Sequence, residues 1–178
     1  MIMKNILVFA ASNSKNSINK QLATYASSLV KDVQVTILDL NDFELPIFGV
    51  DLEAKIGQPE NAHKFLNHIK LSDGIIISLA EHNGAYSVVF KNLLDWMSRI
   101  EGKTFFGKPM LLMATSTGGR GGQSVLEIAK NRFPRHDAKI VTDFSLPSFG
   151  NNFFDGKIID SNLDTELINK VKLFKDVL

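Results

Sequence analysis

Apolar positions along the chain follow two alternating periods. Short runs such as Ile6-Leu7-Val8-Phe9 and Ile75-Ile76-Ile77 are apolar at every position, as in strands covered on both faces. Between them, apolar residues recur at helical spacing: Ile18, Leu22, Tyr25, Ala26 and Leu29 on one stretch, Val88, Val89, Leu93, Trp96 and Met97 on another. This pattern predicts strands at 4–10, 33–38, 74–79, 109–115 and 138–144, with 33–38 nearer a sheet edge because Val and Ile alternate there with polar residues. It predicts helices at 17–30, 60–71, 85–99, 123–133 and 164–178, with Asp164 at the N-cap or first turn of the last. Pro46 and Gly49 make 39–57 a long loop, either a ligand lid or a contact surface. Residues 118–122 form a glycine-rich turn, and 146–159 read as irregular.

Strands that alternate with helices build a parallel sheet covered on both faces, joined by right-handed crossovers. The expected fold is α/β, a three-layer, doubly wound five-stranded parallel sheet of order 2-1-3-4-5, with one domain over residues 1–178. That order puts the topological switch point between the loops at 11–17 and 80–84, where open α/β sheets bind ligands.

Composition narrows the partners. With 20 Lys plus Arg against 19 Asp plus Glu, the formal net charge is +1, so no global field draws in nucleic acid or an anionic membrane. An anion site must therefore be local. The absence of cysteine removes disulfides, thiol redox chemistry and thiolate metal sites, and the four histidines form no i, i+4 ligand pair. No metal is expected. The apolar run near Met1 is too short for a signal peptide or a membrane span, which makes a cytoplasmic protein the expectation.

Three polar loops at one sheet edge carry the candidate chemistry. Ser12, Asn13, Ser14, Lys15, Asn16, Ser17 and Asn19 surround the start of the first helix, a composition that suits a phosphate. It equally suits a plain N-cap at Ser17 with a solvated loop ahead of it. The stretch lacks the glycine spacing of a dinucleotide turn and the Gly-Lys-Ser/Thr ending of a P-loop. After the third strand stand Glu81, His82, Asn83 and Gly84, three of them polar at the carboxyl end of a buried strand. After the fourth come Ser116, Thr117, Gly118, Gly119, Arg120, Gly121 and Gly122, where glycine allows the backbone close to a flat ligand and leaves N–H groups to donate.

These segments together resemble the NADPH-dependent FMN reductase family of flavodoxin-like proteins, which includes quinone, azo-dye and chromate reductases. The family pattern Gly-Ser-x-Arg-x-x-Ser-x-Asn stands here as Ala11 to Asn19, matching at Ser12, Ser17 and Asn19. The pattern Pro-Glu-Tyr-Asn-Gly, then Lys-Asn and Asp-Trp, stands as Ala80-Glu81-His82-Asn83-Gly84, Lys91-Asn92 and Asp95-Trp96. Gly107-Lys108-Pro109 and Ser116 to Gly122 complete the likeness, over roughly residues 6–141.

The resemblance implies FMN as cofactor and NADPH or NADH as co-substrate. Ser12, Ser17 and Asn19 would take the FMN phosphate, with Ser14 and Lys15 beside it. Glu81, His82, Asn83 and Gly84 would lie along the ribityl chain and ring, and Ser116 to Gly121 would cover its other edge, with Asn83 and the Gly118-Gly119 backbone favoured for ring contacts. Two departures stand out: Ser14 replaces the family arginine, a bidentate phosphate donor, and His82 replaces the family tyrosine with a ring whose ordinary titration is near neutral pH.

On this reading no side chain is catalytic, because hydride passes from nicotinamide to flavin and then onward to a small-molecule acceptor in the same cleft, in ping-pong order. Arg120 reads either as a contact for the NADPH phosphate or as a solvated surface residue. Trp96 and Met97 read as helix packing or as part of a homodimer or homotetramer interface. The competing readings are a flavodoxin-type electron carrier, against which the near-neutral charge weighs, and a flavin-free binding protein, motivated by Ala11 and Ser14.

Overall fold

The computed structural model describes residues 3–178. Its centre is a parallel sheet of β1 (Lys4–Ala11), β2 (Val33–Leu38), β3 (Gly74–Leu79), β6 (Pro109–Thr115) and β7 (Lys139–Leu146), in the spatial order β2-β1-β3-β6-β7. Numbered among themselves these five run 2-1-3-4-5, the doubly wound order that the alternation predicts. β2 pairs only with β1, parallel from Lys4↔Val33 to Phe9↔Leu38, and so lies at an edge as its alternating pattern requires.

The period of two within each strand sorts the core into two layers. Leu7, Phe9, Ile75, Ile77, Met110 and Leu112 face α3 (Glu60–Leu71), α4 (Val88–Ile100) and α5 (Gln123–Arg132). Ile6, Val8, Ile76, Leu111 and Met113 face α1 (Ile18–Ser28) and α7 (Ser161–Lys175). Successive strand residues thus supply opposite layers, which is why β3 has no polar face to show; even Ser78 is buried, donating to Asn19 Oδ1 at 2.7 Å.

Several boundaries differ from the expectation. The stretch 39–57 is not a plain loop: it holds a 3₁₀ turn, Leu40–Asp42, capped by Asp39, and a short helix α2, Val50–Ile56. The segment 81–86 is a small hairpin, β4 (Glu81–His82) with β5 (Ala85–Tyr86), because Asn83 and Gly84 both take left-handed backbone (φ 52° and 74°), the requirement of a tight two-residue hairpin turn. That turn delays α4 to Val88, with Ser87 Oγ accepting from Phe90 N at 3.3 Å and donating to Ala11 O at 2.7 Å. Val88 is therefore not packed behind the strand but 68% exposed.

At the other end, β7 runs on to Leu146, and α5 passes into a 3₁₀ turn at Phe133–His136. The region expected to be irregular contains α6 (Phe149–Asn152) and a hairpin of β8 (Phe153–Phe154) with β9 (Lys157–Ile158). The last helix is capped by Asp160, whose Oδ1 accepts from Asn162 N and Leu163 N, both at 3.0 Å. Asp164 lies in its first turn and instead accepts from Tyr25 Oη at 2.5 Å. Among the described residues no helix is long and apolar enough to cross a membrane.

Candidate functional site

The loops after β1, β3 and β6 meet at the carboxyl edge of the sheet around a hollow of about 300 Å³. The first loop contributes Ser12, Ser14 and Ser17, the second Glu81 and His82, and the third Ser116 and Thr117. Lys15, Asn83, Gly84 and the run from Gly118 to Gly121 do not line it.

The β1–α1 loop is shaped by its own hydroxyls. Ser12 Oγ accepts from Ser14 N at 3.2 Å, Ser17 N donates to Ser14 O at 3.2 Å, and Ser17 Oγ caps Lys20 N at 3.1 Å. With Lys20 and Gln21 already bonded back to Ser17, the N–H groups of Ile18 and Asn19 at the head of an 11-residue helix have no acceptor among the described residues. Donor groups and the positive end of the helix dipole thus face the hollow together, the arrangement that holds a phosphate.

Asn19 plays a second part that its sequence position does not reveal. Its amide is buried and bridges three elements: Oδ1 accepts from Ser78 Oγ on β3 at 2.7 Å and from Thr115 N on β6 at 3.0 Å, while Nδ2 donates to Thr115 O at 3.2 Å. Both acceptor positions and one of two donor hydrogens are thereby spent on holding the switch point together.

Glu81 likewise acts on structure. Helix α5 starts at a glycine, Gly122, which offers no side-chain cap. Glu81 Oε2 supplies one from across the site, accepting from Val125 N at 2.9 Å and placing its carboxylate near the positive helix end. The β3 loop is thus tied to the β6 loop.

The β6–α5 loop turns its carbonyls inward. Gly118 O accepts from Gly121 N and Ser148 N, Ser116 O from Phe149 N, Arg120 O from Gln123 N, and Gly121 O from Ser145 Oγ. The N–H groups of Thr117, Gly118, Gly119 and Arg120 have no acceptor among the described residues, which leaves a run of donors that begins at Thr117 in the wall of the hollow. The four glycines divide into two kinds. Gly121 and Gly122 have positive φ (57° and 78°), and a Cβ would collide with Ser145 Oγ at the first and sit 2.8 Å from Ala114 Cβ at the second. At Gly119 a Cβ would meet nothing within 4 Å, and at Gly118 only Ser116 Oγ at 4.0 Å. Packing explains the glycine at 121 and 122 and leaves it unexplained at 118 and 119.

His82 is exposed on β4 and belongs to two cavities. The second, about 470 Å³, lies between the 40–47 segment and the start of α4. Leu40, Phe43, Leu45 and Ile47, apolar positions spaced along 39–57, are the signal for this cavity in the sequence. Asp39, at the root of this segment, pairs with Lys20 Nζ at 2.5 Å, and that hydrogen bond holds its carboxyl below the ordinary value of 3.8.

Known proteins resemble this chain at the level of both sequence and structure. The family model for NADPH-dependent FMN reductase matches residues 4–151. A 2-hydroxy-1,4-benzoquinone reductase from Burkholderia sp. is 36% identical over 118 residues, 65% of this chain but only 62% of that relative. An uncharacterized protein of Mycoplasma pneumoniae is 30% identical over 132 residues, 71% of this chain and 77% of its own length. Among solved structures, a flavoenzyme NAD(P)H:(acceptor) oxidoreductase from Paracoccus denitrificans superposes with a TM-score of 0.77 at 25% identity, covering 98% of this chain and 96% of its own.

Proposed function

As a chain that belongs to the NADPH-dependent FMN reductase family, this protein is, we propose, an NAD(P)H-dependent oxidoreductase that works with bound FMN and reduces a small-molecule acceptor in ping-pong order. Bound FMN would supply the redox chemistry, taking hydride from a nicotinamide and passing electrons to the acceptor. The chain's own residues bind, orient and polarise.

Their chemistry fits that cofactor. Ser12, Ser14 and Ser17, with the N–H groups of Ile18 and Asn19, would hold the phosphate by hydrogen bonds and the helix dipole, without the family arginine. Glu81 and His82 would border the ribityl chain. The free N–H groups from Thr117 to Arg120 would donate to the electron-rich edge of the ring and stabilise negative charge that develops there. Asn83 and Gly84 belong to the same wall on this reading, and Lys15 adds a point charge near the phosphate.

The observation that carries the proposal is the pair Gly118-Gly119. Among the described residues nothing packs closely enough against either position to exclude a side chain, and both belong to a run of N–H groups without an acceptor there, so on this reading the missing Cβ leaves a flat ligand room to approach. A homodimer or homotetramer in the cytoplasm belongs to the same reading.

The test is the absorbance of the purified protein before and after NADPH under anaerobic conditions. The expected result is a flavin spectrum, regenerated by added FMN if lost, that bleaches with NAD(P)H, followed by steady NADPH oxidation once a quinone is added. Flavin that binds but is not bleached by NAD(P)H would point to the electron-carrier reading; colourless protein whose melting temperature ignores FMN would overturn the proposal.

A further inference from the structure

The turn between β4 and β5 carries the only Asn-Gly pair in the chain, Asn83-Gly84. Asn83 is exposed, and its side-chain amide has no hydrogen-bond partner among the described residues. The N–H of Gly84 has no acceptor there either. Little crowds the glycine: a Cβ built on it would come no closer than 4.0 Å to Ser124 Cβ. Each strand of the hairpin is two residues long, so the turn opens at small cost.

Other exposed asparagines provide the contrast. Asn13 and Asn16 are each followed by a small residue, serine, but Ser14 N donates to Ser12 Oγ and Ser17 N to Ser14 O, both at 3.2 Å. After Asn41, Asp42 N donates to Asp39 O at 3.1 Å, and Asn41 Nδ2 itself donates to Asp39 Oδ1 at 2.8 Å. A backbone N–H held by an acceptor gives up its proton less readily and is kept away from the preceding side chain. At Asn83 neither group is held. Arg120 Nη2 donates to Ser124 Oγ at 3.3 Å, so a positive charge stands on the Gly84 side of the turn and favours loss of a proton there.

We propose that Asn83 is a site of self-modification, where the folded chain converts its own asparagine to aspartate and isoaspartate. Gly84 N, losing its proton, bonds to Asn83 Cγ; the Cγ–Nδ2 bond breaks, and the side-chain nitrogen leaves with that proton as ammonia. The cyclic imide then takes up one water. Opening at one carbonyl gives aspartate, and opening at the other gives isoaspartate, whose main chain runs through Cγ. Nothing is oxidised or reduced. Either product adds a negative charge next to Glu81 and His82, and isoaspartate also lengthens the backbone of a two-residue turn, which cannot absorb it without losing the hairpin register. The effect on flavin binding rests on the oxidoreductase reading above; the modification itself does not.

The test incubates the full chain in mildly alkaline buffer, with and without FMN, and follows each asparagine by peptide mass spectrometry, with isoaspartate read by an isoaspartyl methyltransferase. The tryptic peptide 71–91 contains no asparagine besides Asn83, which makes its conversion unambiguous. In the flavin-free folded chain Asn83 is expected to convert about ten times faster than Asn13 or Asn16. Unfolding in guanidinium chloride is expected to speed Asn13 and Asn16 about tenfold and Asn83 about twofold or less, because only the first two have a hydrogen bond to lose. Asn83→Gly keeps a turn-forming pair and is expected to abolish the conversion. Asn83→Asp copies one product and is expected to bind FMN about fivefold more weakly. FMN at about ten times its dissociation constant is expected to slow the conversion about tenfold.

A folded chain in which Asn83 keeps its amide, or in which unfolding speeds all three asparagines equally, overturns the proposal. Conversion of the folded chain that is no faster at Asn83 than at Asn13 and Asn16 does the same. If the protein ignores FMN yet Asn83 converts as described, the flavin reading fails and this one stands; if NADPH bleaches bound flavin yet Asn83 stays intact in the flavin-free chain, the outcome is reversed.

Discussion

Asn19 and Thr115 form a closed two-bond pair between the first helix and the end of the fourth strand of the sheet: Nδ2 donates to Thr115 O at 3.2 Å, and Oδ1 accepts from Thr115 N at 3.0 Å. The side-chain amide thereby imitates a neighbouring strand, and Ser78 Oγ adds a third bond to Oδ1. Asn19→Ala strands three buried polar groups at once. The expected loss is about 2–4 kcal/mol in denaturant unfolding. A loss below about 1 kcal/mol would show that the bridge does not organise the switch point.

Gly119→Ala and Gly121→Ala separate ligand approach from packing. At Gly121, where φ is 57° and a Cβ runs into Ser145, alanine is expected to cost about 2 kcal/mol or more of stability. At Gly119 the space is open, so stability is expected to stay within about 0.5 kcal/mol while FMN affinity falls. Paired thermal melts and flavin titrations check both, and unchanged FMN affinity in Gly119→Ala would remove the proposed ring contact.

Glu81 is a positioning residue, because its carboxylate caps α5 at Val125 N. Glu81→Ala is expected to lose about 1 kcal/mol of stability and to loosen the 116–122 loop, raising the FMN dissociation constant. Glu81→Gln keeps an acceptor for that N–H and should restore most of both. Failure of Gln to rescue either would mean that charge, and not the cap, is what matters.

The Asp39–Lys20 pair predicts a pH effect of definite sign. The folded carboxyl lies below its ordinary value of 3.8, chiefly through the Lys20 hydrogen bond, so its contribution is present above that value and disappears as pH falls through the folded one. The pair is partly solvated, and screening limits it to about 0.5 kcal/mol. Asp39→Asn should therefore be less stable than the parent at pH 7 and converge with it below about pH 4. A gap that persists at low pH would sink the linkage.

Tyr86 presents the opposite case. Its hydroxyl is buried without a hydrogen-bond partner among the described residues, and burial pushes its pKa up to about 12. The ring is held regardless, stacked on Phe133 at 6.0 Å. Tyr86→Phe removes an unsatisfied group and leaves the packing, so stability is expected to rise by up to about 1 kcal/mol, seen as a melting temperature about 2–4 °C higher. A drop of that size would mean the hydroxyl has a partner after all.

Local pattern carried most of the architecture. The buried runs at Ile6 to Phe9 and Ile75 to Ile77 can only be strands inside a covered sheet, and the alternation of strands and helices leaves few topologies. The hairpin at 81–86 was less legible because Ala85 and Tyr86 suit a helix as well as a strand; two left-handed residues at Asn83 and Gly84 settled it. Asp164 lies in the first turn of the last helix, one of the two places its chemistry suits, while Asp160 is the N-cap itself and Tyr25 donates to Asp164 from another helix.

The sequence by itself determined the fold class, the strand order and the three loops that share one sheet edge, because hydrophobic period and chain connectivity are properties of consecutive residues. Tertiary structure alone decided how the polar residues of those loops are spent. Asn19 bonds to residues 59 and 96 positions away, Glu81 caps a helix 44 positions away, and Pro46 is held by Asn92 and Trp96 across the cavity. A hydrogen bond depends on position in space, and no spacing within a loop says which of its donors the rest of the chain has already taken.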